Sequence, residues 1–204
     1  MSKNREIESK TILTEDIFNK LVNAFFNKED FVQTNYYFDS LNHSLKSNNI
    51  AGRIRIFSDK AEQTLKVPEK NPLQVKFHEV IEINDKLEVR DAKSLVKQAE
   101  AGKAIKFTGS VGAYLSKNFT DQIFLLQTWS KTHRRLLNGP QNCELTLDKT
   151  TYPDGYSDYE LEIENSNPAL IKKVLIQLEK EYHFKQAANR TNQSKIGRAF
   201  AHKK

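Results

Sequence analysis

Strand-like segments of this chain repeatedly place charged or polar residues at every second position, with mostly apolar residues between them. Glu6, Glu8 and Lys10 enclose Ile7 and Ser9, and Arg53 and Arg55 enclose Ile54. Thr64 and Lys66 enclose Leu65. Glu144, Thr146 and Asp148 enclose Leu145 and Leu147, and Glu160, Glu162 and Glu164 enclose Leu161 and Ile163. Side chains of a strand alternate between faces, so each segment predicts a strand with one charged and one apolar side. A half-buried antiparallel sheet with a solvated charged face accounts for any one of them. It accounts less well for the set, because acids come in pairs and bases come in pairs. Paired carboxylates suit a hard divalent cation, and paired arginines offer forked donors that match phosphate oxygens. If the sheet closes, the charged faces line an interior and the apolar faces pack outward under helices.

Other elements follow from local signals. Residues 4–12 predict a strand and Thr14 caps a helix whose stripe is Ile17, Phe18, Leu21, Val22 and Phe25. Strands are expected at 34–40, 51–58, 63–68 and 76–83. A helix capped by Asp91 ends near Gly102, and a short one covers 110–118. Strands resume at 123–137, with a break near the centre, and at 143–152 and 158–165, the last two joined by the turn Pro153-Asp154-Gly155. Asn167 and Pro168 open a helix with Leu170, Ile171, Val174, Leu175 and Leu178 on one side. The ending "QSKIGRAFAHKK" is basic. Without a Pro/Ser-rich linker, residues 1–204 read as one domain.

Composition narrows the partners. Of 204 residues 38% are hydrophobic and 28% charged, with a net charge of +6. The chain lacks an apolar run of the roughly 20 residues needed to span a bilayer, and its N-terminus lacks the pattern of a signal peptide. One cysteine, Cys143, allows no internal disulfide and points to a reducing, cytoplasmic setting; within "NCELTL" it reads as packing. A basic chain calls for an anionic partner, but 26 acids argue against a simple nucleic-acid coat.

The motifs in their order resemble the CYTH family, also called triphosphate tunnel metalloenzymes. "EIESK" is similar to its ExExK signature, "YYFDS" to its Tyr/Phe-Asp strand, "RIR" to RxR and "TLKVP" to its TLK strand. Arg134, Asp148, "YELEIE" and the terminal "SKIGR" are similar to its later elements. The match runs over essentially the whole chain and is closest to the small bacterial branch. The resemblance implies an α+β fold: a closed antiparallel β-barrel of about eight strands with surrounding helices, holding a triphosphate. It implies that Glu6, Glu8, Asp148, Glu160 and Glu162 hold Mg²⁺ or Mn²⁺. Lys10, Arg53, Arg55, Lys66, Arg134, Lys195 and Arg198 would bind phosphate, with Lys10, Glu8 and Glu160 closest to the chemistry. Family members often carry an acidic pair after TLK; here Glu79 and Glu82 fall on opposite faces, so only one can point inward, and His78 shares the face of Glu82.

The expected activity is metal-dependent hydrolysis of a triphosphate, first of all inorganic tripolyphosphate. A nucleoside or thiamine triphosphatase, an adenylyl cyclase and a non-catalytic polyphosphate or nucleotide binder are the alternatives. A nucleoside would need an aromatic pocket at the mouth, for which Tyr36, Phe57 and Trp129 are available, although each is more simply read as core.

Overall fold

The computed structural model describes residues 2–68, 78–186 and 194–203, with side chains at 8–68, 81–186 and 194–203. In chain order the elements are β1 (Ser2–Leu13), α1 (Glu15–Ala24), β2 (Asn27–Ser40), α2 (Ser44–Ser47), β3 (Ala51–Ile56), β4 (Ala61–Pro68) and β5 (His78–Leu87). Then come α3 (Val89–Glu100), α4 (Gly109–Asn118), β6 (Phe124–Asn138), β7 (Glu144–Thr151), β8 (Ser157–Glu164), α5 (Pro168–Tyr182) and α6 (Lys195–Ala201).

All strand pairs are antiparallel, and the pairings run β1-β5-β4-β3-β2-β6-β7-β8 and return to β1. The expectation of a barrel closed along its full length needs correction at this seam. β1 pairs with β5 over Ser2–Glu8 and with β8 over Glu8–Leu13, so its two ladders share only Glu8. β1 therefore crosses from one neighbour to the other, and neither of its edges is laddered throughout. The reason is stagger: closing a ring of tilted strands requires an accumulated register offset, and here much of it falls on one strand.

The hydrophobic core lies outside the ring, in two clusters. Leu13, Leu137, Leu145, Leu147, Leu161 and Ile163 pack beneath α1 and α5, against Phe18, Leu21, Ile171, Val174 and Leu178. Phe38, Ile54, Leu65 and Ile83 pack beneath α3 and α4, against Val96, Val111 and Leu115. Full burial of one such side chain is worth about 1.5–3 kcal/mol, so the apolar parity of each strand holds the sheet to its helices and turns the charged parity inward.

Local signals account for most element ends. Thr14 accepts from Ile17 N, and Asn167 accepts from Ala169 N with Pro168 in the first turn. Other ends differ from expectation. Glu88, not Asp91, holds the cap position of α3, and Asp91 sits in its first turn, where an acid favours the helix dipole. β2 begins seven residues earlier than the expected start at 34, because its first half pairs with β6 alone. β6 runs unbroken through the break expected near its centre; a register shift lies closer to its start, where Tyr37 faces Thr128 and Phe38 faces Leu126, leaving Gln127 as an inserted residue. Positions 76 and 77 of the expected fifth strand lie outside the described residues.

Candidate active site

Register aligns the charged parities on one face. Lys66 faces Glu82 and Arg53 faces Thr64 across β3–β4–β5. On the other side Arg134 faces Asp148, Asp148 faces Glu160, Lys10 faces Glu162 and Glu8 faces Glu164. A cavity of about 120 Å³ is lined by Glu8, Lys10, Arg53, Arg55, Lys66, Glu82, Arg134, Glu162, Glu164 and Lys195, with Gln33 and Tyr37. The β-strand cations Lys10, Arg53, Arg55, Lys66 and Arg134 and the acids of β1, β5 and β8 thus share one space, and α6 adds Lys195 from near the end of the chain.

Within it, signs that are segregated along each strand meet across strands. Arg134 donates to both carboxylate oxygens of Asp148, at 2.9 and 2.7 Å, and to Glu162 at 3.0 Å. Lys195 Nζ lies 2.7 Å from Asp148 and 2.9 Å from Glu162 and also pairs with Glu160. Lys10 Nζ lies 2.6 Å from Glu8 and 3.2 Å from Glu162. Arg198 reaches Glu160 at 2.6 Å and Asp158 at 2.7 Å, and donates to the Tyr152 hydroxyl at 3.0 Å. Across the cavity Glu82 lies 2.8 Å from Lys66 and 3.6 Å from Arg53. Arg55 donates to Asn35 at 2.8 Å and to Glu62 at 3.2 Å.

Burial and charge pull the titrations apart. Burial alone would raise the Glu162 carboxyl, but Lys195, Lys10 and Arg134 outweigh it and hold it well below the usual range. Glu160 is raised, by burial first and by Glu162 beside it, although Lys195, Arg198 and Lys10 offset part of this. Burial raises Glu82 less than Lys66 and Arg53 lower it, and it settles at about 2. Burial, and then Arg53 beside it, bring the Arg55 guanidinium down to about 10. Burial would lower Lys10 and Lys195, but the surrounding carboxylates more than reverse this and keep both ammoniums charged.

Two groups of carboxylates could hold a cation. The ligand oxygens of Glu8, Glu162 and Glu164 lie within 4.8 Å of one another, as do those of Asp148, Glu160 and Glu162. Such oxygen-only sets fit a hard divalent cation.

The predicted site residues with described side chains fall in or beside this space. Glu6 has the parity of Glu8 on β1, opposite Val80, but its side chain lies outside the described residues, as do those of His78 and Glu79. The register turns Glu82 inward, opposite Lys66, and leaves the other parity to Glu79. Sequence reasoning missed Glu164, Asp158, Glu62 and Asn35; shared parity with Glu160 was the signal available for Asp158 and Glu164. Tyr36 and Trp129 face each other on β2 and β6, and Tyr36 packs against the core beneath α3 and α4, which removes them from the mouth. Cys143 is buried beneath α5, as expected of packing.

The chain matches the family model of the CYTH domain over residues 4–193. No curated protein matches it. Among solved structures, an adenylate cyclase candidate from Bacillus halodurans is 26% identical, with a TM-score of 0.79 over 98% of this chain and 100% of its own. An adenylyl cyclase candidate from Hippeastrum with a dominant triphosphatase activity is 22% identical, with a TM-score of 0.78 over 98% of this chain and 97% of its own. An inorganic triphosphatase shares the fold at 12% identity, with a TM-score of 0.51 over 96% of this chain and 94% of its own.

Proposed function

The chain belongs to the CYTH domain family, and from that premise we propose that it is a divalent-metal-dependent hydrolase of triphosphates, with inorganic tripolyphosphate as its first substrate. The observation that carries this reading is the convergence of Lys10, Arg53, Arg55, Lys66, Arg134 and Lys195 on one narrow cavity that also holds grouped carboxylates. Phosphoryl transfer asks a protein mainly for positioning and charge neutralisation. Arg53 is suited to this: its Nε is buried and has no hydrogen-bond acceptor among the described residues, so an entering phosphate oxygen supplies one.

Arg53, Arg55 and Lys66 would grip the phosphates from one wall, and Lys10, Arg134, Lys195 and Arg198 from the other. Glu8, Glu162 and Glu164, and Asp148, Glu160 and Glu162, would hold Mg²⁺ or Mn²⁺, with Glu6 a further candidate on β1. A cation bound there neutralises phosphate oxygens and lowers the pKa of a coordinated water. Lys195 lies on the same carboxylate oxygens, so filling that group leaves its ammonium to donate to phosphate. Inorganic tripolyphosphate presents the whole charge that this lining recognises, and the binding energy that serves the transition state would come from the phosphates.

The test is phosphate release from tripolyphosphate and ATP with Mg²⁺ and with Mn²⁺, for the wild type, Glu160→Gln and Arg53→Ala. The wild type should prefer tripolyphosphate in kcat/KM, Glu160→Gln should lose turnover by orders of magnitude while remaining folded, and Arg53→Ala should weaken both substrates alike. The Bacillus halodurans neighbour, an adenylate cyclase candidate, makes adenylyl cyclase the second reading, whereas the Hippeastrum neighbour has a dominant triphosphatase activity; cyclic AMP and pyrophosphate formed from ATP would establish the cyclase. Tight tripolyphosphate binding without release under either metal would make the chain a binding protein and overturn the proposal.

A further inference from the structure

Glu160 is fully buried, and its two oxygens are divided between two cations. Oε1 turns to Lys195, whose ammonium also meets Asp148 Oδ2 and Glu162 Oε1. The ammonium thus stands where the inner group of three carboxylates converges. Oε2 turns to Arg198 and lies 2.6 Å from its Nη2.

The Arg198 guanidinium is itself held from outside the cavity. Its Nε lies 2.7 Å from Asp158 Oδ2 and donates to the Tyr152 hydroxyl at 3.0 Å, and that hydroxyl donates to the same Asp158 oxygen at 2.7 Å. Burial holds the Tyr152 hydroxyl above the usual phenol range, against the pull of Arg198, so it remains a donor. Neither Tyr152 nor Asp158 is among the described residues that line the cavity. The Tyr152 ring is fixed in turn: it packs with Tyr37 and Ala199 and stacks on the His202 ring at 5.2 Å, and its backbone is bonded to Tyr156 and Gly155 across the turn between β7 and β8. Asp158 and Arg198 would satisfy each other's charge without a phenol. What the phenol adds is direction. It bonds both partners through one oxygen and so fixes the Nε edge of a planar group, which sets where the rest of the fork points.

We propose that Tyr152 and Asp158 are positioning residues for Glu160: by fixing Arg198 they hold Oε2 of Glu160 and leave Oε1 to the inner carboxylate group, so that the affinity of this group for a divalent cation is set from outside the cavity. The proposal rests on the reading that the grouped carboxylates hold such a cation, and it names the residues that prepare them for it. Groups that orient a metal-binding side chain are typically worth about 10–100-fold in metal affinity or activity.

The test is calorimetric titration of the full chain with Mn²⁺ alone, and separately with tripolyphosphate under chelation, for the wild type, Tyr152→Phe, Arg198→Lys and Tyr156→Phe. Tyr152→Phe keeps the ring and removes one oxygen; it should weaken Mn²⁺ about tenfold while tripolyphosphate stays within about twofold of the wild type, the cavity lining being untouched. In turnover it should lower kcat for tripolyphosphate with little change in KM. Arg198→Lys keeps the charge but loses the fork, and it should weaken Mn²⁺ at least as much. Tyr156→Phe, in the exposed ring beside Tyr152, should match the wild type. Unchanged Mn²⁺ affinity in Tyr152→Phe, with or without a lowered melting temperature, would make the phenol purely structural and overturn the proposal. So would a loss of tripolyphosphate binding as large as that of Mn²⁺, or a wild type that binds no Mn²⁺. A chain that binds Mn²⁺ but hydrolyses no tripolyphosphate defeats the proposed activity and leaves the Mn²⁺ comparison intact.

Discussion

Glu82 shows how one carboxylate can serve the fold at the expense of the ligand. In the described structure it neutralises Lys66 and Arg53, the cations assigned to phosphate. Its pKa is lowered from 4.5 to about 2. The folded state therefore binds the proton less readily than the unfolded chain, so the stabilisation is present above about pH 4.5 and is lost as pH falls toward 2. Its size at neutral pH is on the order of 3 kcal/mol. Glu82→Gln should lower the free energy of unfolding at pH 7 by that order, and with it the denaturation midpoint, and should flatten the fall in stability between about pH 4.5 and 2. It should also tighten tripolyphosphate binding, because one carboxylate beside Lys66 and Arg53 is then neutral. Denaturant melts across this pH range, paired with calorimetry, decide the matter; an unchanged midpoint and unchanged affinity together would show that the Glu82 pairs contribute nothing.

α6 connects a surface helix to the interior charges. Ser194 caps it by accepting from Gly197 N, and it carries Lys195 and Arg198 into the acids of β7 and β8. Thr128 donates to the carbonyl of Ala199, and the His202 ring stacks on Tyr156 and Tyr152 at 4.3 and 5.2 Å. A chain ended before Ser194 loses both cations while Asp148, Asp158, Glu160 and Glu162 stay buried. Removing one side of a buried ion pair is strongly destabilising because the other charge stays behind. The shortened chain should therefore melt well below the full one, and adding Glu160→Gln to it should recover part of the loss, since one uncompensated carboxylate is then gone. Thermal melts of the three chains check this; a shortened chain as stable as the full one would show that α6 neutralises nothing.

For the molecule as a whole, the interior is neutralised largely by its own opposite charges. The fold should then not need a metal, and chelation should leave the melting temperature nearly unchanged. Tripolyphosphate should instead stabilise the folded chain by mass action, by about 2.7 kcal/mol at a hundredfold excess over its Kd, and added salt should weaken this, because phosphate binding to cationic side chains is screened. Melts with and without chelator, over a tripolyphosphate series, measure both effects. A large loss on chelation would mean that a bound ion is structural, and no shift with tripolyphosphate would remove the ligand from the interior.

Strand parity is a local property, and it was legible in the sequence. Steric alternation alone puts Arg53 with Arg55, and Glu160 with Glu162, on one face, and apolar spacing alone identifies the buried faces of α1 and α5. The caps at Thr14 and Asn167 are equally local. Tertiary structure decided what depends on register between distant segments: that Glu82 rather than Glu79 faces Lys66, that Arg134 closes on Asp148 and Glu162, and that Phe57 lines a recess apart from the charged cavity while Tyr36 packs against the core. It also decided the seam at β1, where two ladders share one residue. A strand's own residues set which side chains share a face, but the neighbour it meets, and at what offset, is set by the closure of the whole ring.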